Sequence, residues 1–255
     1  MTSKRKNEIC ELLKGIETGD ESSIAVINPN KYIQHNPQTQ EGGEGLAALF
    51  KRLSKSSPRV NIVRIFSDGD YVFGHTEYDF NTSRIGFEIF RFEGDQAVEH
   101  WDNIQLREGP NLSGHTMVDG ETVAIDLECT EKNRDIVRNF VDEVLIQHQH
   151  QKLSQFISVE SYTEHNSHGT DDVASLSASL TEQSPSLASV IHYEKRHKLL
   201  AEGNFVLTAC EGLLQDAPTS FFDLYRLAEG VIVEHWNTVE TIPPRSQWKN
   251  ENGKF

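Results

Sequence analysis

Three stretches of this chain are written twice. "YIQHN" at 32–36 returns as "YTEHN" at 162–166, and "GDYVFGHTEY" at 69–78 returns as "GNFVLTACEG" at 203–212. "FEIFRFEGDQAVEHWDNI" at 87–104 returns as "FDLYRLAEGVIVEHWNTV" at 222–239. The blocks keep their order at offsets of 130, 134 and 135 residues. Offsets that grow slowly in one direction mark a duplicated domain with small insertions. The period is too long for a solenoid, whose repeats run roughly 20–50 residues, and suits a domain of ordinary size. The stretch "REGPNLSGHTMVDGETV" at 107–123 is rich in Gly, Pro, Ser and Asn and reads as an exposed connection. The division is therefore expected near residue 120, with one domain over 1–120 and a second over 121–255.

Each half opens helical and closes in strands. "KNEICELLKGI" forms a first helix, and a second is predicted at 44–54, where Leu46, Leu49, Phe50 and Leu53 share one side. Its counterpart lies around 171–182. In the second half Thr130 can cap a helix whose apolar face is Ile136, Val137, Phe140, Val141, Val144 and Leu145. "RVNIVRIF", "DYVFGHTEYDF", "IGFEIFRF" and "AVEHWDNIQL" are rich in β-branched and aromatic residues and are separated by short turn clusters, so they read as strands. Helices followed by a meander of antiparallel strands define an α+β class. A sheet that curls around a helix leaves a pocket between them.

Alternate residues of a strand share a face. Val98, His100 and Asp102 therefore lie together, with Glu99 and Trp101 pointing the other way. With a three-residue loop at "EGD", Phe92 pairs with Val98, Phe90 with His100 and Glu88 with Asp102. Two acids and a histidine then sit on a face of Phe and Val, surroundings that raise carboxyl pKa values. His75 shares its face with Tyr71, Phe73 and Glu77, and His35 sits in a loop that Pro37 keeps from being helical.

Trp101 and Trp236 read as packing anchors, Glu99 and Glu234 as facing solvent or an interface, and "QHQH" at 147–150 as a solvated helix end. Features present in both halves, such as Glu-His-Trp and Tyr-x-x-His-Asn, suit upkeep of the fold. Features present in one half suit specialised function: His75 against Ala209, and Asp102 against Asn237. Asparagine keeps the size and hydrogen-bonding reach of aspartate but cannot exchange a proton at neutral pH. Proton chemistry through this position belongs to the first half alone.

A formal net charge of −15 argues against nucleic acid or an anionic membrane surface as the main partner, since both require a basic patch. Cys10, Cys129 and Cys210 are far apart and odd in number, and are expected to be reduced thiols in a cytoplasmic protein. The start "MTSKRKNEIC" has no apolar run after it, so neither a secretory signal nor a membrane span is expected.

"YIQHNP", the "GHTEY" strand, "FEIFRFEGDQAVEHWDNIQ" and the connection "SGHTMVDG" resemble the SnoaL-like polyketide cyclases of the NTF2-like superfamily. The resemblance covers nearly all of 1–120 and, more weakly, 126–242. It implies two tandem cone-shaped α+β barrels, each with N-terminal helices and a curved, mostly antiparallel sheet around an apolar pocket. It also implies an aspartate on the last hairpin that acts as general acid/base in an aldol closure, with no cofactor and no metal. The matching position is Asp102. Glu88 falls at a partner position, and His35, His75 and His100 fall where family members carry pocket histidines. Tyr71, Phe73, Phe90 and Phe92 are the expected substrate-lining residues, and the expected ligand is a small apolar carbonyl compound. Pairing through outer sheet faces is common in the superfamily, so the halves are expected to pair as an intramolecular pseudo-dimer, with further homo-oligomerisation left open. Asn237 and Ala209 imply an inactive second half. Fold alone does not give function, and two other readings stand beside the cyclase or isomerase. One is a binding module without chemistry. The other is a zinc or iron site on His35, His75, His100 and Asp102, ranked lower because no HxxxH or facial-triad spacing is present.

Overall fold

The computed structural model describes residues 2–180 and 191–255. They divide into two compact units, one formed by Met1–Arg107 with Pro243–Phe255 and the other by Glu108–Ile242.

In the first unit, helix α1 (Thr2–Thr18) buries Ile9, Leu12, Leu13 and Ile16. That spacing puts one apolar stripe against the sheet. Leu46 and Phe50 of α2 (Gly42–Leu53) join the same core, as do Val72, Tyr78, Phe90 and Phe92. Gly19 ends α1 at a φ of 70°, its N–H bonded to the Gly15 carbonyl at 2.8 Å, a left-handed conformation that glycine enters without a Cβ penalty. Arg5 anchors the other end of α1: it donates to the Gly69 and Gly94 carbonyls and pairs with Asp70 at 3.0 Å, so one side chain grips two hairpin turns.

The strands are β1 (Ile33–Gln34), β2 (Arg59–Asp68), β3 (Tyr71–Asp79), β4 (Ser83–Glu93) and β5 (Gln96–Leu106), arranged β1-β5-β4-β3-β2. β1 runs parallel to β5 and the other pairs are antiparallel. Glu88 lies opposite Asp102 and Phe90 opposite His100, as the strand pattern predicts. Phe92, however, lies opposite Ala97 rather than Val98. Only Gly94 and Asp95 separate the paired Glu93 and Gln96, so the turn is one residue shorter than expected. A register shift between Arg91 and Phe92 absorbs the difference. Such a bulge places two residues opposite one, and the pairing at Glu88 and Asp102 is unchanged.

The second unit has α3 (Thr130–Asn139), a π-helical turn Phe140–Ile146, α4 (Leu153–Phe156), β6 (Thr163–Glu164), α5 (Val173–Leu180), β7 (Ile191–Glu202), β8 (Phe205–Leu214), β9 (Ala217–Ala228) and β10 (Val231–Thr241). Its sheet has the order β6-β10-β9-β8-β7, again with the short strand parallel. Val137, Phe140, Val141, Val144 and Leu145 pack on Val206, Phe221, Tyr225 and Ile232. Thr130 is not the cap expected of it: a 3₁₀ turn over Leu127–Cys129 precedes the helix, and the Thr130 hydroxyl donates to the Leu127 carbonyl at 2.7 Å. Residues 181–182 of the helix expected at 171–182 lie outside the described residues.

The units divide at Arg107/Glu108, not near residue 120, and the carboxy-terminal segment belongs to the first unit. Side-chain amides help tie each segment to its unit. Asn111 donates to the Glu164 carbonyl at 2.6 Å, while Asn250 donates to the carbonyls of Asn36 and Thr39 at 2.8 and 2.9 Å. The Gly- and Ser-rich stretch at 107–123 is thus not an exposed connection throughout, since Asn111 and Met117 are buried.

Candidate functional site

One face of the first sheet carries a continuous polar chain across four strands. Tyr78 on β3 donates its hydroxyl to Glu88 Oε1 on β4 at 2.6 Å. Glu88 Oε2 meets His100 Nε2 on β5 at 2.8 Å, and His100 Nδ1 meets Gln34 Oε1 on β1 at 3.1 Å. The backbone N–H of Asn36 donates to the same Gln34 oxygen at 2.8 Å, which fixes that amide's orientation. Nδ1 of His100 must therefore donate, because an amide oxygen only accepts. A proton between His100 and Glu88 completes the link. Gly86 makes room for this: a Cβ there would lie 2.8 Å from Tyr78 Cε2 and 3.1 Å from Glu88 Oε1. The ring of Phe90 stacks on His100 with centroids 4.3 Å apart.

Asp102 stands one pair along the same face, 5% exposed. Its Oδ2 accepts from Asn36 Nδ2 at 2.8 Å. Its Oδ1 has no hydrogen-bond partner among the described residues. Lys254, from the carboxy-terminal segment, puts its ammonium 3.8 Å from that oxygen and donates to the Asp102 carbonyl at 2.8 Å. Burial pushes the Asp102 carboxyl above its ordinary pKa. The charges of Lys254 and His100 pull it back, the Glu88 charge pushes it further up, and the bond from Asn36 favours the ionised form. Tyr32, also buried, has a hydroxyl without a hydrogen-bond partner among the described residues. Burial, then the charges of Asp102 and Glu88, hold that phenol well above its ordinary pKa, so it stays a neutral O–H donor.

The structure brings together Asp102, Glu88 and His100, with Phe90 and Phe92 in the adjoining core. His75, Tyr71 and Phe73 lie on the opposite face, in register with Phe87, Arg91 and Ile89. His75 Nδ1 accepts from the buried guanidinium of Arg64 at 2.8 Å, and its ring meets Phe87 edge-on. His35 also turns to that side. It stacks on Trp101 with centroids 4.7 Å apart and bonds Glu99 Oε1 at 2.9 Å and the Gly253 carbonyl at 3.0 Å. Glu99 in turn pairs with Arg91 at 2.6 Å. In the second unit His165, Trp236, Glu234 and Arg226 repeat this set, and Glu234 is buried rather than facing solvent.

Glu88, His100 and Asp102 offer ligand atoms within 4.8 Å of one another. Divalent cations accept such donors, yet His100 Nε2 is already committed to Glu88 and an ammonium stands beside Asp102. We read the group as a hydrogen-bonded set and not as metal ligands.

The matching face of the second unit distributes charge differently. His235 lies between Glu164 at 2.9 Å and Asp223 at 3.1 Å. Burial works to lower its pKa, but the Glu164 charge and the bonds to Asp223 and Glu164 outweigh it and raise it to about 10. Asn237 accepts from Asn166 at 2.9 Å, as Asp102 does from Asn36.

Lys254, Gln34, Tyr32 and Tyr78 were not among the expected site residues. The repeated Tyr-x-x-His-Asn element signalled Tyr32. Nothing marked Lys254, which stands 152 residues from Asp102 in the chain.

The fold and this face define an α+β protein with two five-stranded, mostly antiparallel sheets, the first burying Glu88, His100 and Asp102 on one face. No family model matches the chain, and no curated protein does. Solved structures that it resembles include TsrD from Streptomyces laurentii, at 18% identity over 40% of this chain and 89% of that one, with a TM-score of 0.37. Others are an LEH-like epoxide hydrolase of M. tuberculosis, at 17% identity over 41% and 84% with a TM-score of 0.36, and IdmH of Streptomyces antibioticus, a putative polyketide cyclase, at 16% over 40% and 91% with a TM-score of 0.36. Likeness this distant carries no argument about reaction or substrate. No helix among the described residues is long and apolar enough to cross a membrane.

Proposed function

We propose that the first unit binds a small apolar carbonyl compound against the face of Phe90, His100 and Asp102 and moves a proton at the carbon beside the carbonyl. Asp102 is the general acid/base. The observation that carries this reading is its buried carboxyl, anchored through one oxygen by Asn36 while the other has no hydrogen-bond partner among the described residues. A carboxyl raised by burial is a stronger base than one in water, and its pKa moves toward neutral, where one group can both take up and give back a proton. The Tyr32 hydroxyl is the donor best placed in chemistry to meet the developing enolate oxygen. Glu88 and His100, bonded to each other, set the charge beside Asp102. Aldol-type cyclisation and isomerisation both begin with this step. His35 and His75, on the opposite face, take no part in it. The two sheets are read as copies of one ancestral domain, the second keeping the shape with Asn237 in place of the acid.

The test is exchange of α-hydrogens for deuterium in small cyclic and aromatic ketones, followed by proton NMR in heavy water. Wild type should accelerate exchange, and Asp102→Asn should lower that rate by about 10²–10⁴-fold while binding survives. A wild type that binds ketones but never exchanges their α-hydrogens is a binding module, the second reading.

A further inference from the structure

The carboxy-terminal segment is built into the first unit by more than its backbone. Asn252 donates to the Gln34 carbonyl at 3.0 Å, the Lys249 N–H to the Pro37 carbonyl at 2.8 Å, and the Gly253 carbonyl accepts from His35 at 3.0 Å. These contacts deliver the next residue, Lys254, into the interior, where its side chain is 2% exposed. A buried ammonium is costly unless paired, and the carboxylate beside it is that of Asp102, 3.8 Å away.

The second unit contains the same arrangement with different chemistry. There the segment before Leu127 docks in the same manner. Asn111 donates to the Glu164 carbonyl as Asn252 does to that of Gln34, and the Thr116 carbonyl accepts from His165 at 2.8 Å as Gly253 does from His35. Glu164 pairs with His235 in the register that joins Gln34 to His100, so these positions correspond. The residue after the accepting carbonyl is then Met117, 2% exposed. Where the sheet carries Asp102 the docked segment carries an ammonium. Where the sheet carries Asn237 the docked segment carries Met117, an uncharged thioether whose sulfur accepts from the Glu108 N–H at 3.5 Å. Mixing the two would bury a lone charge, which costs more than either matched pair.

We propose that Lys254 is the counter-ion and positioning residue of the Asp102 carboxylate, and that the carboxy-terminal segment is therefore an integral part of the first unit's site. Its functional meaning rests on the reading of Asp102 as the proton-transfer group; the pairing itself does not. The other groups facing Asp102 are Glu88, His100, Tyr32 and Tyr78. Of these, His100 supports its negative charge and Glu88 opposes it.

The experiment uses the full chain with carbon-13-labelled aspartate, the Asp102 carboxyl signal being assigned by its loss in Asp102→Asn. Its titration midpoint should shift to higher pH in Lys254→Met and return toward wild type in Lys254→Arg. In thermal unfolding, Asp102→Asn and Lys254→Met should each lower the midpoint by several degrees, and the double variant, which puts the second unit's uncharged residue types at both positions, should recover most of that loss. An Asp102 signal unmoved by Lys254→Met, or losses that simply add in the double variant, would overturn the proposal. If Lys254→Met does not fold, a folded double variant supports the pairing and an unfolded one refutes it. None of these readouts depends on turnover, so absent ketone exchange would remove the catalytic reading and leave this one standing.

Discussion

Asp102 and Asn237 take the same amide bond from an asparagine two residues after β1 or β6, yet only one can carry charge. The surrounding residues follow that difference. The first unit buries Glu88 and Asp102 with Lys254 beside Asp102, while the second buries Glu164 and Asp223 around His235. His235, raised from 6.5 to about 10, stabilises the folded state most below its unfolded pKa and loses that contribution as pH climbs from 6.5 through about 10. Thermal midpoints should therefore fall over that window, and His235→Gln should flatten the slope. A second residue-scale expectation concerns Gly86. Alanine there would meet Thr76 Oγ1 at 2.8 Å as well as the Tyr78 ring, so it should cost about 1–3 kcal/mol in urea unfolding by pushing Tyr78 off Glu88. A Gly86→Ala protein as stable as wild type would mean that the Tyr78–Glu88 bond yields freely.

At the scale of elements, the strand pattern was legible because period-two alternation survives any packing. It placed Glu88 opposite Asp102 although the turn length was one residue off, the bulge at Val98 making up the difference. The alternation grouped His75 with Tyr71, Phe73 and Glu77 but did not relate that face to the face of Asp102, and the family resemblance put His75 in the pocket. The structure keeps His75 and Asp102 on opposite faces, where Arg64 holds His75. Helix α1 shows the same strength of local pattern. Its stripe of Ile9, Leu12, Leu13 and Ile16 fills the core, and Leu13→Ala should cost about 2–5 kcal/mol, read from urea denaturation. A loss under about 0.5 kcal/mol would show that α1 is not seated on the sheet as described.

For the whole molecule, the decisive fact is that chain order and unit membership differ. Residues 243–255, which the repeat assigns to the second domain, fold with the first. Deleting them should lower hydrogen-exchange protection in β1 and β5 and leave β6 to β10 unchanged. Loss of protection in β10 instead would return the segment to the second unit.

Sequence by itself determined the element order, the strand faces, the pairing of Glu88 with Asp102 and the contrast between Asp102 and Asn237. Those are local or periodic properties, and backbone geometry reads them directly. Only the tertiary structure decided which segment covers which sheet, and with it the presence of Lys254 beside Asp102 and Met117 in the other unit. A docked segment is held by side-chain amides on carbonyls far away in the chain, bonds that follow no period. The charge that balances a buried acid can therefore come from a residue the sequence never sets near it.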